Sequence, residues 1–588
     1  MNSEEVGDIL EQIALLLELK GENPFKIRAY TNAARALETL SEDIGKIVEA
    51  NRLEEIDGIG KAIAEKITTL VTTGKLDYYD RLREEFPPDI FTLFELQGLG
   101  AKKIKILYEQ LGVHSLTKLE RACKDGLVAA LPGFGEKTAT NILKALEQHK
   151  KSAGQFRLGD IAALAEEILE DLRSHPRVTL VQIAGSYRRK KEIVRDLDFI
   201  VSTRKPAEVS ADFVSHPLVE SVLAHGETKA SVLLKNGIQC DLRVVNSGEY
   251  PFALNYFTGS KEHNVKMRSR ALEHGWSLNE YRFSEAEGRK LKEPIPEVQT
   301  EADIYKALGL AYVEPELRED RGEIDAAEKG ELPTLIEWQN LRGTFHCHTT
   351  ASDGRASLDE MAEAARELGL QYLGIADHSK SSYQASGLDE DRLLIQLGQI
   401  KKLNEDQEGF RLFSGTECDI KKDGTLDFSD EILSQLDYVV ASVHASFTLS
   451  EKEMTDRIIK AMSNPYVTML GHLTGRLLLT REPYKVNIPA IIEAAAETGT
   501  IIELNANSRR LDMDWRWWPL AKEKGVKCAI NPDAHSTAGI QDLIFGVGIA
   551  RKGWLSKSDV VNTLPLGQIE KILTAKRQNS PVFSTRLR

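Results

Sequence analysis

From Leu341 onward the chain alternates seven short apolar, β-type runs with helical segments: GTFHCH, YLGIADH, RLFSGTE, DYVVASVH, VTMLGH, TIIELNA and KCAINPDAH. Strand–helix units in series imply a parallel sheet, because a parallel neighbour needs a long crossover. Seven of them favour a closed α/β barrel over an open sheet, and in a barrel the strand C-termini converge on one mouth. All six histidines beyond residue 340 fall at predicted strand ends: His346, His348, His378, His444, His472 and His535. Glu417 and Asp533 end strands in the same way, and Asp353 follows the first strand. One histidine at a strand end ordinarily caps it by hydrogen bonding. Six histidines with three carboxylates predict a metal centre instead. No thiolate falls at these positions, so the nitrogen and oxygen donors suit Mn²⁺ or Zn²⁺.

At 588 residues the chain has room for three to five domains, and 41% apolar with 28% charged residues is a folding composition. No run approaches the ~18 apolar residues of a membrane span. MNSEEVGDIL lacks the basic and apolar regions of a secretory signal. Five scattered cysteines without a CxxC pair argue against a disulfide framework and for a reducing cytoplasm. A net charge of −14 excludes a globally basic binder, but not local phosphate sites at helix N-termini.

Residues 1–150 read as short helices carrying one plan three times, in EIDGIGKAIAEKI, FELQGLGAKKIKIL and AALPGFGEKTATNIL. The pairs Gly58/Gly60, Gly98/Gly100 and Gly133/Gly135 each follow an apolar residue and precede a helical period. In a helix-hairpin-helix the glycines let the backbone turn tightly, and the second helix offers free N–H groups to a phosphate. A single copy would read as a turn in a bundle. Three copies, followed by Lys61, Lys102/Lys103 and Lys137, predict sequence-independent DNA backbone binding.

Between Ile183 and Ser202, IAGSYRRKKEIVRDLDFIVS places Gly185-Ser186 at a strand end, then a basic turn, then a strand carrying Asp196 and Asp198. Residues two apart on a strand point to one face. Asp241, in the alternating run IQCDLRVV, supplies a third carboxylate. Three carboxylates on neighbouring strands can hold two hard cations for in-line nucleotidyl transfer. Gly185 and Ser186 would admit a triphosphate, and Arg189 would counter its charge.

GSYRR, DLD and NYFTGSKEHNVKMRSRALEHGWSLNEYRF together resemble the family X DNA polymerases, the group that contains polymerase beta. The resemblance covers residues 1–315. It implies a nucleotidyltransferase palm with catalytic Asp196, Asp198 and Asp241 and Mg²⁺ or Mn²⁺. It further implies a sugar pocket of Tyr256, Phe257 and Gly259, Asn264 near the base, and Arg268 on the template strand. Arg195 and Lys261 depart from the family pattern, and both add positive charge near the nucleotide. PFKIRAYTNAARAL and GIGKAIAEKI resemble the family's lyase domain, which implies Lys66 as a Schiff-base nucleophile with Lys26 and Tyr30 beside it. Ala62 stands where that family places a phosphate-binding lysine.

HCHT, DH, TE, VH, GH and DAH resemble, in order, the motifs of the PHP (polymerase and histidinol phosphatase) domain. That resemblance implies a distorted (β/α)7 barrel with up to three Mn²⁺ and/or Zn²⁺ ions, a bridging Glu417 and phosphoester hydrolysis. Leu473 stands where proline is usual, and Arg476 is either a phosphate ligand or a surface arginine.

The expected chain is thus multidomain α/β. A polymerase-beta-like DNA-binding domain (1–80) and helix-hairpin-helix fingers (81–150) precede a palm (151–250) and thumb (251–315). An acidic linker (316–340), read from the apolar-poor stretch Val313–Glu331, leads to the PHP domain (341–588). The expected function is a cytoplasmic repair polymerase that fills short gaps in DNA from dNTPs. Its barrel would act as a 3′–5′ exonuclease, with abasic-site endonuclease and 3′-phosphatase activity as further options. The expected partner is gapped or nicked double-stranded DNA, with a monomer favoured. The alternatives are a small-molecule phosphatase and a non-catalytic DNA end-binding scaffold.

Overall fold

The computed structural model describes residues 1, 3–38, 44–56, 58–94, 96, 99–405 and 409–578. They form two compact units, Met1–Ala153 and Gly154–Arg588.

The first unit is helical. Gly60, in extended conformation, caps the helix Lys61–Thr73, and Gly100 caps Ala101–Leu111 in the same way. Neither glycine cap offers a side-chain bond to its helix, and the amides of Ile63 and Lys103 turn back to the Gly60 and Gly100 carbonyls. Gly58 turns at φ +88°, and Gly133 and Gly135 at +83° and +68° before the helix Gly135–Ser152. These left-handed values explain glycine at those positions. Gly98 lies outside the described residues. Leu10, Ile13, Ile67, Leu70, Ile104, Leu107 and Val128 are buried in one core that all the helices share.

The second unit begins with a five-stranded sheet: β1 (Val178–Ile183), β2 (Asp196–Thr203), β3 (Val219–His225), β4 (Lys229–Leu234) and β5 (Gln239–Val245). Its order is β1-β2-β5-β4-β3. The β2/β5 pair is parallel, with Asp198 opposite Asp241. Along β5, Cys240, Leu242 and Val244 are buried and the residues between them are not. Period-2 alternation therefore turns Asp241 away from the core, onto the face that Asp196 and Asp198 share.

The stretch read as an acidic linker is folded. Val313, Leu317, Ile324 and Ala327 are buried against Ile304, Tyr305 and Leu308, and Glu323–Lys329 is a helix. Arg318 and Glu323 are fully buried. Arg318 pairs with Glu301 at 2.6 Å, and Glu323 with His263 at 2.7 Å. Low apolar content misled here because the segment folds on buried, mutually paired charges.

From Gly343 onward the described residues carry eight short strands: β6 (Gly343–Cys347), β7 (Tyr372–Ile375), β8 (Arg411–Ser414), β9 (Glu417–Asp419), β10 (Val440–Ser442), β11 (Met469–Leu470), β12 (Ile501–Asn505) and β13 (Cys528–Asn531). β8 and β9 are one predicted run, broken at Gly415-Thr416. β6–β8 form one parallel sheet and β9–β13 another. Lone bridges His378–Glu417 and Cys347–Ala534 join the two sheets, consistent with a distorted seven-unit barrel. Phe345, Tyr372, Phe413 and Tyr438 pack ring against ring inside it.

Candidate active sites

The palm site is set by register. A Cβ on Gly185 (φ +63°) would lie 2.2 Å from an Asp198 oxygen, so only glycine lets the turn approach that carboxylate. Burial raises the Asp198 carboxyl to about 7, and the charges of Asp196 and Asp241 add to the rise. Burial, then Asp241, raises Asp196 as well. Three crowded carboxylates that resist ionising together make a strong cation site, because a divalent ion relieves their repulsion.

The basic turn holds a surprise. Arg189 is buried, and its Nε lies 3.0 Å from Glu319 while Nη1 donates to the Thr258 carbonyl. The guanidinium expected to face a triphosphate is thus held by a residue of the mistaken linker. Gly259 (φ +69°) packs on it, since a Cβ there would meet Arg189 Nη1 at 3.1 Å. Tyr256 and Phe257 stand edge to face at 5.2 Å, and Asn264 Nδ2 donates to the Tyr256 carbonyl at 2.7 Å. Ser186 lies in the turn Gly185–Arg188, and Arg268 is exposed on the helix Lys261–Glu273.

In the helical unit, Lys66 and Lys26 place their ammonium groups 5.4 and 5.8 Å from the ring centroid of Tyr78, which stacks on Tyr30 at 6.3 Å. The three expected lyase residues therefore meet at one ring that sequence reading missed. Lys66 Nζ also donates to the Ala62 carbonyl at 2.8 Å. Lys102 is exposed beside its glycine cap.

In the barrel, eight of the nine expected ligands gather into three overlapping groups. These are His348, Asp353, His378 and His535; His346, His348 and Asp533; and His378, Glu417 and His444. The ninth, His472, places Nε2 at 2.8 Å from Glu417. Glu417 is the hub, 3.3 Å from His346, 2.9 Å from His378 and 3.2 Å from His444. It opens β9 rather than ending a strand, because the break at Gly415-Thr416 resets the run. His346 and Asp533 adopt φ of +59° and +51°, a costly backbone for bulky residues that is held by the packing around the mouth.

Buried donor atoms without partners test the metal reading. His346 Nε2, both ring nitrogens of His348, His378 Nδ1, His472 Nδ1 and Glu417 Oε2 are buried without a well-aligned hydrogen bond, although several of them face one another at ion-pair distance, as His378 Nδ1 and Glu417 Oε2 do at 2.9 Å. Such atoms are costly unless a cation satisfies them, so the residues fit a metal centre. A second layer of acids fixes the rings: Glu503 lies 2.6 Å from His346 Nδ1, and Asp419 2.9 Å from His444 Nδ1. Burial alone would lower His444, but Glu417 and Asp419 outweigh it and raise the ring to about 10. Burial would likewise raise Glu417, and the surrounding histidines hold it well below the usual range.

Sequence reading missed Glu503, Asp419 and Arg510. Arg510 Nε lies 3.2 Å from Asp533, and its buried Nη1 has no partner at the cavity wall. Glu503 was visible as an acid inside the apolar run TIIELNA. Arg476, in contrast, is largely covered and pairs with Glu192 at 3.3 Å and Asp514 at 3.2 Å. It links barrel to palm, and is neither a surface arginine nor free for phosphate.

Residues 253–319 match the DNA polymerase beta thumb family, and 344–507 the PHP domain. Residues 1–76 match a helix-hairpin-helix domain, and 91–148 a SAM-like helix-hairpin-helix tandem. The DNA polymerase/3′-5′ exonuclease PolX of Bacillus subtilis is 39% identical over 97% of this chain and 99% of its own length. A probable phosphatase of Thermoanaerobacter sp. is 30% identical over 40% of the chain and 94% of its own length. The DNA polymerase lambda of Rattus norvegicus is 25% identical over 53% of the chain and 56% of its own. With a relative this similar along nearly its whole length, the chain belongs to the bacterial family X DNA polymerases that carry a C-terminal PHP domain.

Proposed function

We propose that this chain is a repair polymerase that fills short gaps in DNA at Asp196, Asp198 and Asp241 and trims 3′ ends at the barrel mouth. One observation carries the reading: two donor sets of different chemistry lie in one compact unit. One is built from carboxylates alone, and the other mixes histidines with carboxylates. Hard ions, Mg²⁺ or Mn²⁺, suit the first. Up to three Mn²⁺ and/or Zn²⁺ ions suit the second, with His346, His348, Asp353, His378, Glu417, His444, His472, Asp533 and His535 as ligands.

Bound ions would supply Lewis acidity toward phosphoryl oxygens and ease deprotonation of the attacking group. The protein does the rest. Gly185 keeps the turn close enough to Asp198 for a triphosphate to bridge Ser186 and the carboxylates. Tyr256, Phe257 and Gly259 line the sugar, Asn264 stands near the base, and Arg268 meets the template strand. Arg189 must leave Glu319 or share it to contact phosphate. In the barrel, Glu503 and Asp419 orient His346 and His444, and Arg510 binds the scissile phosphate with its unpartnered nitrogen.

Gly58, Gly60, Gly98, Gly100, Gly133 and Gly135, with Lys102 and Lys103, grip the backbone of gapped or nicked duplex. Lys66, with Lys26 and Tyr30, is the lyase candidate. The match to a probable phosphatase supports 3′-phosphate removal by the same barrel. Among the described residues no helix is long and apolar enough to cross a membrane. We place the enzyme in the cytoplasm as a monomer. Incubation with a gapped duplex, with and without dNTPs, in Mg²⁺ and then Mn²⁺, reads synthesis and degradation separately. The reading fails if neither occurs.

A further inference from the structure

The barrel cavity, about 710 Å³, is lined by metal-site residues and by the loop that follows His378. Within that loop Tyr383 is 89% exposed, although it also lines the cavity. A single exposed aromatic is ordinary on a protein surface. Three observations set this one apart.

First, the loop is tied down by hydrogen bonds. Its ends pair at Ser379–Leu388, and a Cβ on Gly387 would meet the Ser379 carbonyl at 2.0 Å. Ser381 donates to Asp427 from both its amide (2.7 Å) and its hydroxyl (2.6 Å). Arg392 Nη1 donates to the carbonyls of Ser386 and Gly387 at 3.0 and 3.1 Å. A ring held out by so fixed a loop is presented, not merely left over. Second, the loop is tied to the metal site. Ser382, next to Tyr383, donates to Asp419 at 2.6 Å, and Asp419 orients His444. Third, the same cavity wall carries cations. Lys421 and Lys422 are exposed there, and neither forms an ion pair among the described residues. Buried Arg457 holds their backbone in place through the carbonyls of Ile420 and Lys421 (2.9 Å to the latter) and bonds the Ala445 carbonyl at 2.8 Å.

An aromatic face, two lysines and a metal-type site around one cavity match a single-stranded nucleic acid terminus: base, backbone phosphate and scissile phosphate. A cavity of this size falls in the ~300–1,000 Å³ range that accepts a small ligand such as a nucleotide. We propose that the loop Ser379–Leu388 is a clamp on which the 3′-terminal base of a frayed strand stacks on Tyr383. Lys421 and Lys422 hold the adjoining phosphate. The clamp selects unpaired ends, because a 3′-terminal base still paired to its complement cannot leave the helix to lie on the ring while its phosphate enters the cavity. This deepens the exonuclease reading above and rests on it.

The test is a two-way comparison in the full-length, Mn²⁺-loaded protein. Tyr383→Ala is compared with wild type on a single strand ending in a normal 3′ nucleotide and on one whose terminal residue lacks its base. The expected result is a KM about tenfold higher for Tyr383→Ala on the normal strand, about 1.4 kcal/mol, with kcat little changed. Tyr383→Phe and Tyr383→Trp should match wild type, and on the baseless terminus the gap between wild type and Tyr383→Ala should close. A second readout needs no turnover. Terminal 2-aminopurine fluorescence, with the protein in EDTA, should be quenched by wild type and not by Tyr383→Ala. Equal KM values on the normal strand, or a penalty that persists without the base, would overturn the clamp. A wild type that degrades neither strand would instead overturn the exonuclease reading itself.

Discussion

The Nζ of Lys552, fully buried on a barrel helix, donates to the backbone carbonyl of Arg189 in the palm's basic turn at 3.0 Å. It also pairs with Glu319, which holds the Arg189 guanidinium. One carboxylate from the segment before the barrel thus joins a cation of the palm to a cation of the barrel. Removing a buried charge that others pair with leaves its partners uncompensated, at a cost of about 3–5 kcal/mol. Glu319→Gln, which strands Lys552 and Arg189 together, should lower the free energy of chemical unfolding by that amount, and Lys552→Met, which leaves Glu319 paired with Arg189, should cost less. The double variant should lose less than the sum of the two, and strict additivity would show that they do not interact.

A pH effect follows from the thumb. Burial alone would raise Glu301, but Arg318 and Arg188 outweigh it and hold the carboxyl at about 2 against an ordinary 4.5. A carboxyl held low stabilises the fold above its unfolded pKa and loses that contribution as pH falls through its folded pKa. Glu301 contributes about 3 kcal/mol at neutral pH. Glu301→Gln should therefore cost about that much at pH 7 and progressively less as pH falls from 4.5 toward 2. Denaturant titration at pH 7 and pH 3.5 checks it, and an equal loss at both would refute it.

The metal centre predicts a stoichiometry. His346→Ala with His348→Ala removes ligands from two of the three groups. Metal content by elemental analysis should fall by at least one ion per chain, while the palm's response to Mg²⁺ stays as in wild type. Unchanged content would place the ions elsewhere.

DNA binding should weaken with rising salt, because phosphate contacts release counterions. Lys102→Ala with Lys103→Ala should reduce affinity for gapped duplex severalfold, and equally on unrelated sequences. A loss confined to one sequence would mean that these lysines read bases.

The parts of the molecule that repeat or alternate were legible in the sequence. The glycine pairs announced the helix caps Gly60 and Gly100, and the period of two in IQCDLRVV turned Asp241 to the face of Asp198. The strand-end histidines announced the barrel mouth. What stayed hidden depends on partners distant in the chain. Arg318 and Glu323 look like linker residues until Glu301 and His263 fold against them. Arg189 looks free until Glu319 arrives, 130 residues later. Tyr78 and Tyr383 carry no motif, and only their surroundings single them out. Arg476 and Arg510 are both arginines in loops of the barrel, and only their neighbours show which one faces the cavity.

The most direct test of the account is a separation of activities on one substrate. Asp198→Ala and the His346→Ala, His348→Ala double variant are assayed side by side with wild type on a 3′-labelled single-nucleotide gap. Asp198→Ala should lose dNTP incorporation by at least about a thousandfold, about 4 kcal/mol of transition-state stabilisation, and keep Mn²⁺-dependent 3′ degradation. The double variant should do the reverse. Loss of both activities in either protein, or of neither, would contradict two independent sites.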